Sequence, residues 1–165
     1  MIAELAIERR ERLVVAPCPV EEIMAAREFP ALVEEYAAES AVAGLPPPDA
    51  KMDTYAHLEM VGLLHSFSAM VGSNLVGFIG ILTPVLPHYG ITFAVGESFF
   101  VASAHRKSGA GLRLLRAAES MAWDLGSPGL FMSAPVNGIL AELLPKCGYA
   151  ETNRTFLKLA PRCLN

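Results

Sequence analysis

The chain has 165 residues, 53% of them hydrophobic and 18% charged, enough to bury one core and too apolar for a disordered segment. A formal net charge of −4 lacks the basic footprint of a general nucleic-acid binder, so no nucleic-acid partner is expected. The most apolar run, residues 75–86, is too short for a bilayer-spanning helix and holds Gly77, Gly80 and Pro84, so no membrane partner is expected either.

Residues 1–12 mix Glu4, Glu8, Arg9, Arg10 and Glu11 with apolar positions, unlike a signal peptide. Cys18, Cys147 and Cys163 have no metal-ligand spacing; as free thiols they fit a reducing cytoplasm. One domain over residues 1–165 is expected.

In chain order, residues 13–16 predict a first strand stopped by Pro17 and Pro19. A helix follows from Val20, with Pro19 and the acidic Glu21 and Glu22 suiting its start. Pro30 is expected to break or kink it, and residues 33–43 predict a second helix. Gly44 and Pro46 to Pro48 make a stiff loop, and residues 55–64 predict a third helix. From His65 the period becomes two, giving a strand, a Gly72-Ser73-Asn74 turn and a partner strand over 75–82. After a break at 84–90, residues 91–101 predict one long strand. Leu114, Ala118, Met121, Ala122 and Leu125 form a helical stripe ended by Gly126. Residues 130–133 predict a short strand, 136–147 a helix ended by Gly148, and 155–159 a last strand. Strand–helix–strand from 91 to 133 implies a parallel crossover. The fold class is α+β: a central mixed sheet, mostly antiparallel, flanked by helices.

The chemistry concentrates in Val101-Ala102-Ser103-Ala104-His105-Arg106-Lys107-Ser108-Gly109-Ala110-Gly111. A strand ends, the chain turns through two glycines, and an amphipathic helix begins. Helix N-termini present unpartnered N–H groups and a positive dipole end, and glycines admit an anion to them. His105, Arg106, Lys107, Arg113 and Arg116 make a local basic spot in an acidic chain, so a small anion suits it. The order is not that of a nucleotide P-loop, because Lys107-Ser108 precedes the glycines. Nor is it a dinucleotide fingerprint, because Leu114 stands at the third glycine position. On the two glycines alone, an ordinary turn before a helix is the favoured explanation.

Arg106-Lys107-Ser108-Gly109-Ala110-Gly111 resembles the R/Q-x-x-G-x-G/A acyl-CoA motif of the GNAT superfamily of N-acetyltransferases. Val101 precedes it and Leu114-Leu115 follow in the family's frame, with Asn137 and Gly148-Tyr149 further on. The order of elements is similar over nearly the whole chain. Ser133-Ala134-Pro135, Leu144-Pro145 and residues 151–154 also resemble a phage- and prophage-encoded branch. The resemblance implies an acetyl-CoA cofactor and an amine acceptor. Arg106, Lys107, Ser108, Gly109, Ala110 and Gly111 would bind the pyrophosphate through their N–H groups. Phe99, Phe100 and Val101 would pair with the pantetheine arm, with the Val101 N–H facing the thioester oxygen. Asn137 would join the cofactor site.

A lysine-like amine costs about 4–5 kcal/mol to deprotonate near neutral pH, so a base is needed. Glu97 is the candidate catalytic residue; strand alternation puts it on one face with Phe99 and Val101. A solvated or ion-paired strand carboxylate is the plainer alternative. Many GNAT enzymes carry a proton-donating tyrosine where this chain has Leu144, and Tyr149 is expected to pack in the core. That gap leaves a second reading open, a non-catalytic acyl-CoA-binding domain, beside acetyl transfer without a covalent enzyme intermediate. His88-Tyr89 reads as a structural turn, His57 and His65 as ordinary polar positions, and Trp123 as packing. The acceptor is not specified by the sequence, and the oligomeric state, a homodimer included, stays open.

Overall fold

The computed structural model describes residues 12–160; residues 1–11 and Cys163, read above, lie outside them. The chain begins with β1 (Leu13–Pro17), α1 (Val20–Ala25), α2 (Phe29–Ser40) and α3 (Met52–Met60). β2 (Leu64–Val71) and β3 (Asn74–Leu82) form the expected hairpin. β4 (Val85–Leu86), β5 (Ile91–Thr92) and β6 (Ala94–Val101) follow. A 3-10 turn (Ser103–Ser108) leads into α4 (Ala110–Asp124), then β7 (Leu130–Phe131) and α5 (Ile139–Lys146).

The main sheet runs β1-β2-β3-β6-β7, antiparallel except for the parallel pair β6–β7. The predicted mixed sheet and its crossover are therefore present. α4 lays Leu114, Leu115, Ala118 and Ala122 against Phe67, Ala69, Ile79 and Val101 on one face. Ile23 of α1 and Leu32 of α2 cover the other face with Leu75, Phe78 and Phe100. α1, α2 and α4 thus bury their apolar sides in one of two layers flanking the sheet, whereas α3 has no buried residue.

Several boundaries differ from the sequence reading. Pro30 does not break a helix; it sits in the first turn of α2, where a missing N–H costs nothing. The third helix starts at Met52 and ends at Met60, because Leu64 already pairs with Leu82 in the sheet. Residues 91–101 are not one strand. Ile91 and Thr92 pair with Leu86 and Val85 in a separate two-stranded ribbon, and β6 begins at Ala94. Residues 155–159 form no strand, and Phe156 there is 88% exposed. Trp123 is also exposed rather than packed. Gly126 and Gly148 do end α4 and α5 in the left-handed conformation.

Two local irregularities shape the site. Between β3 and β6, Gly80 pairs with Ser98 while Ile81 pairs with Gly96, so Glu97 is an extra residue with no partner, a β-bulge. Between β6 and β7, only Ala94–Leu130 and Val95–Phe131 pair. Beyond Val95 the two segments part, and one edge of β6 is left without a strand.

Candidate active site

The freed edge of β6 borders a cavity of about 410 Å³ lined by Phe99, Phe100, Val101, Arg106, Gly111 and Asn137, together with α2 and α5. Six of the residues assigned to the cofactor from sequence thus come together here. The edge's polarity follows from one hydrogen bond. Ala102 N–H donates to Val76 O on β3 at 2.9 Å. Since main-chain groups alternate sides along a strand, the N–H and C=O of Val101 point to the opposite, open side. Arg106 Nε donates to that Val101 carbonyl at 3.1 Å.

Arg106 is held from three directions. Besides Val101, its guanidinium pairs with Glu39 of α2 at 2.5 Å and lies 5.5 Å over the Phe100 ring. Glu35, one turn earlier on α2, accepts the Ser103 N–H at 3.0 Å. α2 therefore anchors the start of the loop and its arginine.

Residues 103–108 form a 3-10 turn rather than an open glycine loop. Such a turn uses its own N–H groups in i→i+3 bonds, so those of Arg106, Lys107 and Ser108 are committed locally. Gly109, at φ +85°, joins this turn to α4, and a Cβ built on it meets nothing within 4 Å. The main-chain donors at this junction are those of the first turn of α4, which lack intrahelical partners. Ala110 N–H reaches Ser108 Oγ at 3.3 Å, a long bond for this pair. Lys107, Ser108, Gly109 and Ala110 do not line the cavity; they lie between Arg106 and Gly111, which do. A slender, flat chain ending in phosphates fits this arrangement: an unpaired strand edge, an open space over Gly109 and a helix start beside it.

Asn137 precedes α5 instead of lying within it, at φ +61° in the turn Pro135 to Gly138. Asparagine tolerates that conformation better than most residues.

A second cavity, also about 410 Å³, opens on the α1–α2–α3 side of the sheet. Glu97 lines it with Ser98 and Gly80. This corrects the alternation argument: Phe99 and Val101 pack toward α4, whereas the bulge turns Glu97 to the other face with Ser98. Tyr55 of α3 donates its hydroxyl proton to Glu97 Oε1 at 2.7 Å. Burial and then this bond to a carboxylate push the Tyr55 phenol well above its usual value. Tyr36 of α2 lines both cavities. Burial, then the nearby Glu97 charge, raises its phenol too.

Leu144, where a tyrosine was missed, is buried in the α4-side core. Tyr149 packs there as expected and donates to Glu119 of α4 at 2.9 Å. His88 and Tyr89 stack edge-on in the β4–β5 turn at 4.9 Å and line neither cavity. His65 Nε2 lies 3.3 Å from Thr83 Oγ1. Among the described residues, no His/Cys/Asp/Glu cluster could hold a metal ion, and no helix is long and apolar enough to cross a membrane. Sequence reasoning missed the α2 residues Glu35, Tyr36 and Glu39 and the α3 residue Tyr55. The only trace was the i, i+3 and i, i+4 spacing of Tyr36, Glu39 and Ser40 on one face of a helix.

Comparison with known proteins places this geometry. The profile of the "Acetyltransferase (GNAT) family" matches residues 29–149. A ribosomal-protein-alanine N-acetyltransferase from Brucella melitensis biovar Abortus 2308 superposes with TM-score 0.71 at 20% identity, over 92% of this chain and 99% of that one. An aminoglycoside acetyltransferase, meta-AAC0020, from an uncultured soil metagenomic sample gives 0.68 at 15%, over 90% and 97%. The aminoglycoside enzyme AAC(6')-Iy, solved with a bisubstrate analogue of CoA, gives 0.65 at 18%, over 92% and 99%. No curated protein matches the chain. With the family profile spanning α2 to α5, including the Arg106 loop, the chain belongs to the GNAT family of acetyltransferases and is an acetyl-CoA-dependent N-acetyltransferase.

Proposed function

We propose that the acetyl group passes directly to an amine held in the Glu97 cavity, with no covalent enzyme intermediate. The observation that carries this reading is that two cavities, one along the open edge of β6 and one beside Glu97, share Tyr36 as a common wall. When bound, the cofactor supplies an activated acetyl thioester. The open edge at Phe99, Phe100 and Val101 would hold its extended arm by strand addition. The Val101 N–H on that edge would meet the charge that develops on the thioester oxygen. Arg106, the first turn of α4 and Asn137 would hold the phosphate end.

Glu97 acts as base toward the acceptor ammonium, and the Tyr55 hydroxyl fixes the orientation of its carboxylate. Deprotonation is the costly step, about 4–5 kcal/mol for a lysine-like amine near neutral pH. Tyr36 would supply the proton for the departing thiolate and regain one from the acylated nitrogen, filling the role that Leu144 cannot. Its raised phenol stays protonated near neutral pH and so is available as a donor. A single domain in a reducing cytoplasm fits the sparse cysteines, of which Cys18 and Cys147 are free.

The test is release of free CoA from acetyl-CoA across a panel of amines. Glu97→Gln is expected to lower kcat by about 10²–10⁴-fold, the range for a lost general base, with acetyl-CoA affinity retained. Tyr36→Phe is expected to lower kcat more than it raises the KM for acetyl-CoA. Wild-type kcat in Glu97→Gln over a pH series would remove the carboxylate from the mechanism.

A further inference from the structure

The cavity beside Glu97 has an uneven chemistry that bears on which amine it accepts. Its walls are Val20, Ile23, Phe29, Val33, Leu64 and Phe78, contributed by α1, α2 and the sheet. Two carboxylates line it, Glu97 and Asp49. Asp49 already forms an ion pair with Lys51, also on the lining. The nearby Glu59 does not line the cavity; its carboxylate accepts the Val20 N–H at 3.2 Å and the Ser66 hydroxyl at 2.9 Å. Apart from that solvent-exposed ion pair, Glu97 is the one carboxylate on the lining, and the rest of the wall is hydrocarbon, thioether, aromatic ring or hydroxyl. At about 410 Å³ the space lies toward the small end of ligand sites, which run from about 300 to 1,000 Å³.

We propose that the acceptor is a compact monoamine, a single amino group on an apolar body, with the nitrogen at Glu97 and the body against the α1–α2 wall. A second ammonium laid against that wall would lose water with no carboxylate on the wall to replace it, and an unpaired desolvated charge is disfavoured. This inference rests on the cavity being the acceptor site, and it separates the chain from relatives whose names mark polycationic aminoglycosides as substrates.

The test compares hexylamine with hexane-1,6-diamine, equal in length and differing by one terminal charge, and adds neamine as a compact polycation. With acetyl-CoA and the full chain, hexylamine is expected to exceed the diamine and neamine in kcat/KM by at least about tenfold. Equal or better turnover of the diamine or neamine overturns the acceptor class and leaves acetyl transfer standing. If no amine releases CoA, the transfer reading fails, and the acceptor class is then decided by titrating the same amines into CoA-saturated protein. Tighter hexylamine supports it; equal, reversed or absent binding overturns it. Val33→Glu, which adds a carboxylate to the apolar wall, should narrow the hexylamine-to-diamine ratio. An unchanged ratio in that variant, folded by circular dichroism, removes this cavity as the acceptor site. Should that variant not fold, Met24→Glu on the same lining answers the same question.

Discussion

Glu97 shows how one inserted residue changes the chemistry a strand presents. In a regular ladder it would face α4 with Phe99 and Val101; the bulge opposite Gly80 and Ile81 sends it to the α2–α3 side instead. There Tyr55, 42 positions away in sequence, donates a hydrogen bond to it. Gly109 is the other residue on which the site turns. It holds φ +85°, with nothing within 4 Å of where a Cβ would stand, so a side chain there is strained and projects into open space. If the cofactor phosphates dock at this loop as proposed, Gly109→Glu is expected to abolish acetyl-CoA binding by adding a carboxylate beside them. Isothermal titration of acetyl-CoA decides it, and unchanged affinity in the folded variant would refute the loop assignment.

At the scale of elements, β6 and α4 act as a pair. β6 loses its β7 neighbour after Val95, and α4 starts beside the strand end that is left open. Leu114 is fully buried where α4 packs on the sheet. Leu114→Ala is expected to destabilise the fold by about 2–5 kcal/mol, the range for a buried leucine leaving a cavity. A urea denaturation midpoint checks this, and a loss under about 1 kcal/mol would mean that α4 is not anchored as described. α2 is the less obvious partner. Through Glu35, Tyr36 and Glu39 it contacts the loop, both cavities and Arg106. Pro30 at its start makes it a separate helix after α1 rather than a damaged continuation.

At the scale of the whole molecule, two tyrosines tie distant elements together through carboxylates. Tyr55 joins α3 to β6, and Tyr149 joins the segment after α5 to α4. Burial first, and the carboxylate bond second, raise both phenols above their ordinary value. The folded chain thus keeps protons that an unfolded chain releases near pH 10. Stability from these groups is fully present below about pH 10 and falls as pH rises through the raised folded values. Urea midpoints are expected to decline above about pH 10, and less steeply in a Tyr55→Phe/Tyr149→Phe protein. Parallel alkaline slopes in the two proteins would show that these phenols do not couple to folding.

The sequence by itself determined what depends on near neighbours. The period-two runs, the α4 stripe and the glycine stops at Gly126 and Gly148 are set by local sterics and patterning and were enough to indicate the fold class, while the cofactor was indicated by the resemblance of the Arg106 to Gly111 motif to that of a known family. Tertiary structure alone decided the rest. The short ribbon cut from residues 91–101, the unpaired segment at 155–159, the face of Glu97 and the use of Tyr36 and Tyr55 all depend on pairing and packing between segments distant in sequence. A bulge is defined by the strand across from it, and a shared cavity wall by the helix that happens to cover it, so neither leaves a mark in the order of residues.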